Sequence, residues 1–274
     1  MKHMGARVIT VTSGKGGVGK TTATANLAVA LANLDKKVVC IDADIGLRNL
    51  DVVMGLENRI VYDLVDVVEG RCKLRQAMVK DKRAPDLYLL PAAQTRDKTA
   101  VSPQDMVALT NQLRDQFDYI MLDSPAGIEW GFRNALAPAD EVIVVTNPEV
   151  SAVRDADRII GLIEAEERKI PTSLVINRVK PEMVRRGDML SVNDVLEILS
   201  VRLLGVVPDD EQILVSSNKG APLTMDNQKT PAAEAFRNIA RRITGEKVPL
   251  MKFDQQGGGV LKRLARMFGS SDKA

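Results

Sequence analysis

The chain has 274 residues, 45% of them hydrophobic and 27% charged, which is an ordinary balance for a globular protein with a sizeable core. Its 38 basic and 36 acidic side chains leave a formal charge of +2, which argues against a polycationic nucleic-acid binder. Two cysteines, Cys40 and Cys72, and one histidine, His3, exclude a Cys/His zinc site or a four-cysteine cluster within the chain and leave little room for histidine general-base chemistry.

Strands are predicted at Arg7–Thr12, Lys37–Asp42, Leu87–Leu90, Tyr119–Asp123, Glu141–Thr146, Ser173–Asn177 and Leu203–Val207. Several are continuous apolar runs, as expected where helices cover both faces of a parallel sheet. Between them, helices are predicted at Lys20–Leu34, Pro103–Asp115, Val150–Arg168, Val192–Leu199, Asp209–Ser216 and Pro231–Thr244. This alternation reads as right-handed βαβ units, so the fold class is α/β: a doubly wound, mostly parallel sheet flanked by helices in one domain. The domain is expected over residues 6–248, after a disordered leader at 1–5 and before a flexible linker at 249–259 that contains the run QQGGG. The longest weakly polar run, Ala23–Leu34, is too short to span a bilayer, and the apolar part of the N-terminus is too short for a signal peptide. The cytoplasm is the expected compartment.

The first strand runs into Ser13-Gly14-Lys15-Gly16-Gly17-Val18-Gly19-Lys20-Thr21-Thr22, and Gly14 to Thr21 fits GxxxxGK[ST] between a strand and a helix. Glycines let successive N–H groups turn inward on phosphate oxygens, and the helix that starts near Lys20 adds its N-terminal dipole. Lys20 is expected on the β/γ-phosphates and the Thr21 hydroxyl on Mg²⁺. Lys15 is a second lysine on the rim. It is either a solvated surface lysine or a residue that crosses to a partner's nucleotide in a face-to-face dimer, as an arginine finger does.

Strand two ends in Asp42-Ala43-Asp44, at the edge where open α/β sheets bind ligands. Either carboxylate can hold a metal-bound water or orient the attacking water, and the two share a face if the strand continues. Asp123 ends an apolar strand in the Walker B manner, near the Mg²⁺. Ser124–Gly127 follows as a candidate switch in which the Gly127 N–H can sense the γ-phosphate. Trp130 has no assignable role beyond that of an interface or packing aromatic.

At the far end, Val260, Leu261, Leu264, Ala265, Met267 and Phe268 fall on one helical arc, with Lys262, Arg263 and Arg266 on the other. A basic amphipathic stretch at 260–268 behind a glycine linker reads as a membrane-surface anchor. At nine residues it is shorter than the ~12–15 that are even marginal as a helix in water, so it is expected to fold at the lipid and bind weakly as one copy. Two copies on a dimer gain avidity.

The loop KGGVGKT resembles that of the deviant Walker A ATPases, the MinD/ParA family. DADIGLRNLD, YDLVDVVEG, LYLLPAAQTRDK, DSPAGIE, TNPEVSAVRDADRI and RRGDMLSVNDVLEIL are similar to its division-site-selecting branch, from about Arg7 to Phe268. The resemblance implies an ATP-dependent homodimer in which Lys15 contacts nucleotide in trans, Lys20 serves the phosphates and Asp44 serves hydrolysis. It further implies that Asp42 and Asp123 serve the metal and its waters, that Asn177 recognises adenine, and that Pro208 and Asp209 line the base pocket. It places ATP/ADP and Mg²⁺ as cofactors, residues 260–268 as the membrane-targeting sequence on the inner face of the cell membrane, and Asp155 and Asp157 near the docking sites of a MinC-type inhibitor and a MinE-type activator or another topological regulator. A ParA-type segregation ATPase and a flagellar-placement ATPase are the alternatives within the family. An electron-transfer role of the nitrogenase-reductase kind needs cluster cysteines that Cys40 and Cys72 do not supply.

Overall fold

The computed structural model describes residues 5–226 and 228–251. The 260–268 segment, most of the proposed linker and nearly all of the leader lie outside the described residues. Eight strands form one sheet: β1 Arg7–Thr12, β2 Val38–Asp42, β3 Val79–Lys80, β4 Leu87–Leu90, β5 Tyr119–Asp123, β6 Glu141–Thr146, β7 Thr172–Val179 and β8 Arg202–Pro208. Their order is β3-β4-β2-β5-β1-β6-β7-β8, parallel except for the antiparallel edge strand β3. The expected fold class holds.

Side chains alternate across the sheet. Ile9, Val11, Cys40, Ile143 and Val145 pack with helices α1 (Lys20–Ala32) and α11 (Pro231–Ile243). Val8, Val39 and Ile41 face α5 (Pro103–Leu113) on the other side, while Val142 and Val144 face α7 (Val150–Glu164) and α9 (Val192–Leu199). Both faces are covered, which is why the strands read as unbroken apolar runs. Helix α1 is buried nearly all round, because the sheet, α11 and the short helix α2 (Leu50–Met54) enclose it.

Several predicted helices overran. Helix α1 stops at Ala32, α5 at Leu113 and α7 at Glu164. The helix expected at Asp209–Ser216 is α10, Glu211–Asn218, because Asp210 caps it by accepting from the Gln212 N–H at 2.9 Å. Short helices α2, α3 (Leu64–Val68), α4 (Leu74–Ala77), α6 (Trp130–Leu136) and α8 (Pro181–Arg186) were not expected, nor was β3. At the domain's end, Arg242 donates to the Val248 and Pro249 carbonyls at 2.9 and 2.6 Å, and Met251 packs on the core, so the chain stays attached through the first residues assigned to the linker.

Arg83 ties three segments together. It donates to Gly220 O at 2.8 Å, to Met54 O at the end of α2, and to the buried Asp81. Beside it the backbones of Gly55 and Gly220 touch: a Cβ on Gly55 would lie 2.4 Å from Gly220 O, and one on Gly220 would lie 2.5 Å from Gly55 Cα.

Candidate functional site

The carboxyl ends of β1, β5 and β2 lie side by side, and the strand order turns back on itself around β1, the place where open α/β sheets leave a crevice. The loop from Ser13 to Gly19 rises there into α1. Gly17 and Gly19 have φ of 80° and 92°, in the left-handed region that favours glycine. Gly14 is required for a different reason: a Cβ there would stand 2.1 Å from the Asp155 carbonyl of α7. Nothing lies within 4 Å of a Cβ built on Gly16 or Gly17, so this part of the loop is open. Val18 is buried, and its carbonyl accepts from Asn177 Nδ2 at 2.8 Å, which fastens the loop to the end of β7. Asn177 Oδ1 is buried without a partner.

Lys20 is 7% exposed, and its Nζ donates to Asp123 Oδ1 at 2.9 Å and to Thr21 Oγ1 at 3.3 Å. Thr24 Oγ1 donates to the same Asp123 oxygen at 3.0 Å. Asp42 and Asp123 are register partners on adjacent strands, both buried. Burial first, and the Asp123 charge second, push the Asp42 carboxyl up to about 7, against the pull of the Asp44 and Leu50 N–H groups and of Lys20. Those N–H groups meet both Asp42 oxygens, from Asp44 at 2.9 Å and Leu50 at 3.1 Å. The strand ends at Asp42, so Asp44 leaves its face and enters the following loop. Asp44 is half-buried, its Oδ1 has no partner, and burial raises its carboxyl against the charges of Lys20 and Lys98.

Lys20, Thr21, Thr22, Gly16, Gly17 and Asp44 border one cavity of about 520 Å³. Lys98 and Arg178 border it too, and neither was singled out in the sequence. Lys98 comes from a distant turn that only the fold brings here. Arg178, next to Asn177, holds φ 55° where the β7–β8 register shifts, and it also borders a neighbouring cavity of about 590 Å³ with Asp209. Pro208 ends β8, and the Asp209 carboxylate pairs with Lys180 at 3.3 Å.

Three residues singled out from the sequence have the following partners. The Gly127 N–H donates to Ser13 O at 3.0 Å and not into the cavity; serving a phosphate requires releasing that bond. Lys15 is exposed at the rim, donating to Ser151 Oγ at 3.3 Å with Glu149 at 4.0 Å. Trp130 opens α6, and its Nε1 donates to Val101 O at 3.2 Å. Asp155 is half-buried on α7 and Asp157 is exposed.

The donor set suits a nucleotide with Mg²⁺. The glycine backbone is open, and Thr21 and Asp44 at the cavity offer hard oxygens of the kind magnesium takes with phosphates. Asp42, expected at the metal and its waters, instead has both oxygens bonded by backbone N–H groups, Asp123 is held by Lys20 and Thr24, and neither they nor Asn177, whose buried Oδ1 is an unused acceptor, borders the cavity. The donor set does not suit an iron–sulfur cluster: residues 99–257 contain no cysteine, and Cys40 is buried in β2 with its thiol pushed up by burial.

A family model described as an AAA domain matches residues 6–176, and one described as 4Fe-4S iron sulfur cluster binding proteins of the NifH/frxC family matches residues 99–257. The septum site-determining protein MinD of Bacillus subtilis is 57% identical over 262 residues, which is 95% of this chain and 97% of that protein. Among solved structures, a MinC:MinD cell division protein complex of Aquifex aeolicus is 49% identical with a TM-score of 0.83, over 90% of this chain and 99% of that one. The septum site-determining protein MinD of Pyrococcus horikoshii, complexed with Mg-ADP, is 29% identical with a TM-score of 0.78, over 87% of this chain and 96% of that one. With the division-site motifs carried on this glycine loop and sheet, the chain belongs to the MinD family of septum site-determining P-loop ATPases.

Proposed function

We propose that this chain, a P-loop ATPase of the division-site family that uses adenine nucleotide and Mg²⁺, closes into a dimer on ATP, binds an anionic membrane through two copies of residues 260–268, and recruits a MinC-type septum inhibitor there. Hydrolysis, stimulated by a MinE-type or other topological regulator, returns monomers that leave the membrane. The reading is carried by one observation: an open glycine backbone with Lys20 and Thr21 borders the same cavity as the half-buried Asp44. In this reading Gly14–Thr22 cradle the phosphates, and Thr21 and Asp123 serve the metal. Asp44 orients water, with Asp42 holding the backbone from Asp44 to Leu50. Asn177 Oδ1 accepts the exocyclic amine of adenine beside Pro208 and Asp209.

Lys15 reaches the partner's nucleotide. Its present contacts are exposed and long, and so of little energetic consequence. Asp155 and Asp157 lie on the helix against which Gly14 packs, which suits regulator docking that depends on the nucleotide state.

Co-sedimentation of the full chain with anionic vesicles in ATP, in ADP and without nucleotide tests the coupling. Retention is expected with ATP alone; equal retention in all three overturns it. In Phe268→Glu, retention with ATP is expected to be lost while ATP binding is kept. Unchanged sedimentation of that variant removes the anchor.

A further inference from the structure

Lys98 is the lysine of the phosphate cavity that the glycine loop does not account for. It opens a short 3-10 turn, Lys98–Ala100, whose backbone is pinned at both ends. The Asp97 carboxylate accepts from the Thr99 N–H at 2.8 Å and the Thr99 hydroxyl at 2.6 Å. Just past the turn, Val101 O accepts from Trp130 Nε1 and from the buried Asn134 Nδ2 at 2.7 Å, both on α6. A fixed turn thus carries a side chain that is not fixed: Lys98 Nζ lies 3.8 Å from the Glu129 carboxylate, with both side chains largely exposed. A pair that long and that wet adds little stability, so the ammonium is able to exchange partners.

Asp44 borders the same cavity, with one oxygen unpartnered, and the positive charge of Lys98 already acts on it. The other cation acting on Asp44 is Lys20, now held by Asp123. When Lys20 turns to a phosphate, its charge is shared with that anion. Lys98 is then the cation available to the Asp44 carboxylate.

We propose that Lys98 is a positioning residue for hydrolysis, leaving Glu129 to hold the Asp44 carboxylate in the orientation used on the attacking water. This gives the loop after β5 and the loop after β2 a common side chain. It rests on the reading above in which Asp44 orients water.

The test is steady-state Mg-ATP turnover, Mg-ADP affinity and thermal midpoint for the wild-type full chain, Lys98→Met and Lys98→Arg. Lys98→Met is expected to lower kcat by about tenfold or more, because a misplaced reacting group is costly, while KM stays within about twofold. Its ADP affinity and thermal midpoint are expected to stay at wild-type values. Lys98→Arg, which keeps the charge, is expected to restore most of the rate. The proposal is overturned if Lys98→Met turns over as the wild type does, or if Lys98→Arg is as slow as Lys98→Met. A loss of ADP affinity equal to the loss of kcat/KM also overturns it, since Lys98 is then a phosphate ligand. A wild-type chain with no turnover sinks the ATPase reading itself and this proposal with it, a result distinct from active wild type with an indifferent Lys98.

Discussion

The two rims of the phosphate cavity are built differently. The glycine loop is held from three directions: Gly14 lies against α7, Val18 is bonded by Asn177 of β7, and Lys20 is paired with Asp123 of β5. The opposite rim, the loop from Ala43 to Asn49, is held by the Asp42 carboxylate, by Ala43 N–H on Asp123 O at 3.0 Å, by Gly46 N–H on Ala93 O at 2.8 Å and by the Arg48–Asp51 pair at 2.8 Å, with Ala43 and Ile45 in the core. It carries Arg48 at φ 42° and leaves Leu47 63% exposed. A rim fixed from several elements suits recognition of what ATP and ADP share. A rim whose ends are anchored but whose middle, Gly46 and Leu47, lies in solvent suits a response to what differs between them, because segments that move are drawn from the exposed parts of a fold.

The contrast is broken most completely by Gly14→Ala. The added methyl meets the α7 backbone, which cannot turn aside as a side chain can, so a stability loss of about 3 kcal/mol or more and loss of nucleotide binding are expected. Urea unfolding and a nucleotide titration check this, and a variant that binds ATP normally would show that the close approach is dispensable. Next in size is Lys15→Ala. The monomer's stability should change by less than about 0.5 kcal/mol, because the lysine meets Ser151 and Glu149 only at the wet surface. Activator-stimulated turnover should fall by roughly 10³ if the lysine acts in trans as an arginine finger does. Size-exclusion chromatography with a slowly hydrolysed ATP analogue should show no dimer; a dimer of wild-type affinity argues for the solvated alternative.

The smallest expected effect sharpens the view of the opposite rim. Asp42 is pushed up to about 7 by burial and by Asp123, so between about pH 4 and pH 7 the native state keeps a proton that the unfolded chain has released. Its contribution therefore makes the nucleotide-free protein less stable as pH rises through that window. In Asp42→Asn this part of the slope should vanish, seen as a flatter trend of urea midpoints from about pH 4.5 to about pH 7.5. Identical trends would mean that Asp42 ionises normally.

The strands were legible because a sheet covered on both faces needs apolar residues at consecutive positions, and runs such as YIMLD and EVIVVT have no other good use. Helix ends were less so: Leu34 continues the apolar pattern of α1 but lies past its end, where Asp35 has turned to φ 57°. Strand β3 escaped notice because two residues at a sheet edge carry no period. In the site, the glycine loop was legible because its chemistry is local. The two purposes of its glycines, turning for Gly17 and clearance for Gly14, were not separable until α7 was in place. The engagement of both Asp42 oxygens by backbone depends on where residue 50 returns, and Lys98 depends on a turn more than fifty residues from Asp44. Neither leaves a trace in spacing.

The meeting of Gly55 and Gly220 bears on how α2, and the rim that leads into it, is seated. Two backbones in contact with no side chains between them set the spacing of α2 from the chain that follows α10, and a side chain at either glycine would meet hard backbone atoms. Arg83 clamps the Met54 and Gly220 carbonyls, which ties that contact to the β3–β4 hairpin. A methyl group at either glycine would therefore wedge α2, and the loop that leads into it, away from the segment that follows α10.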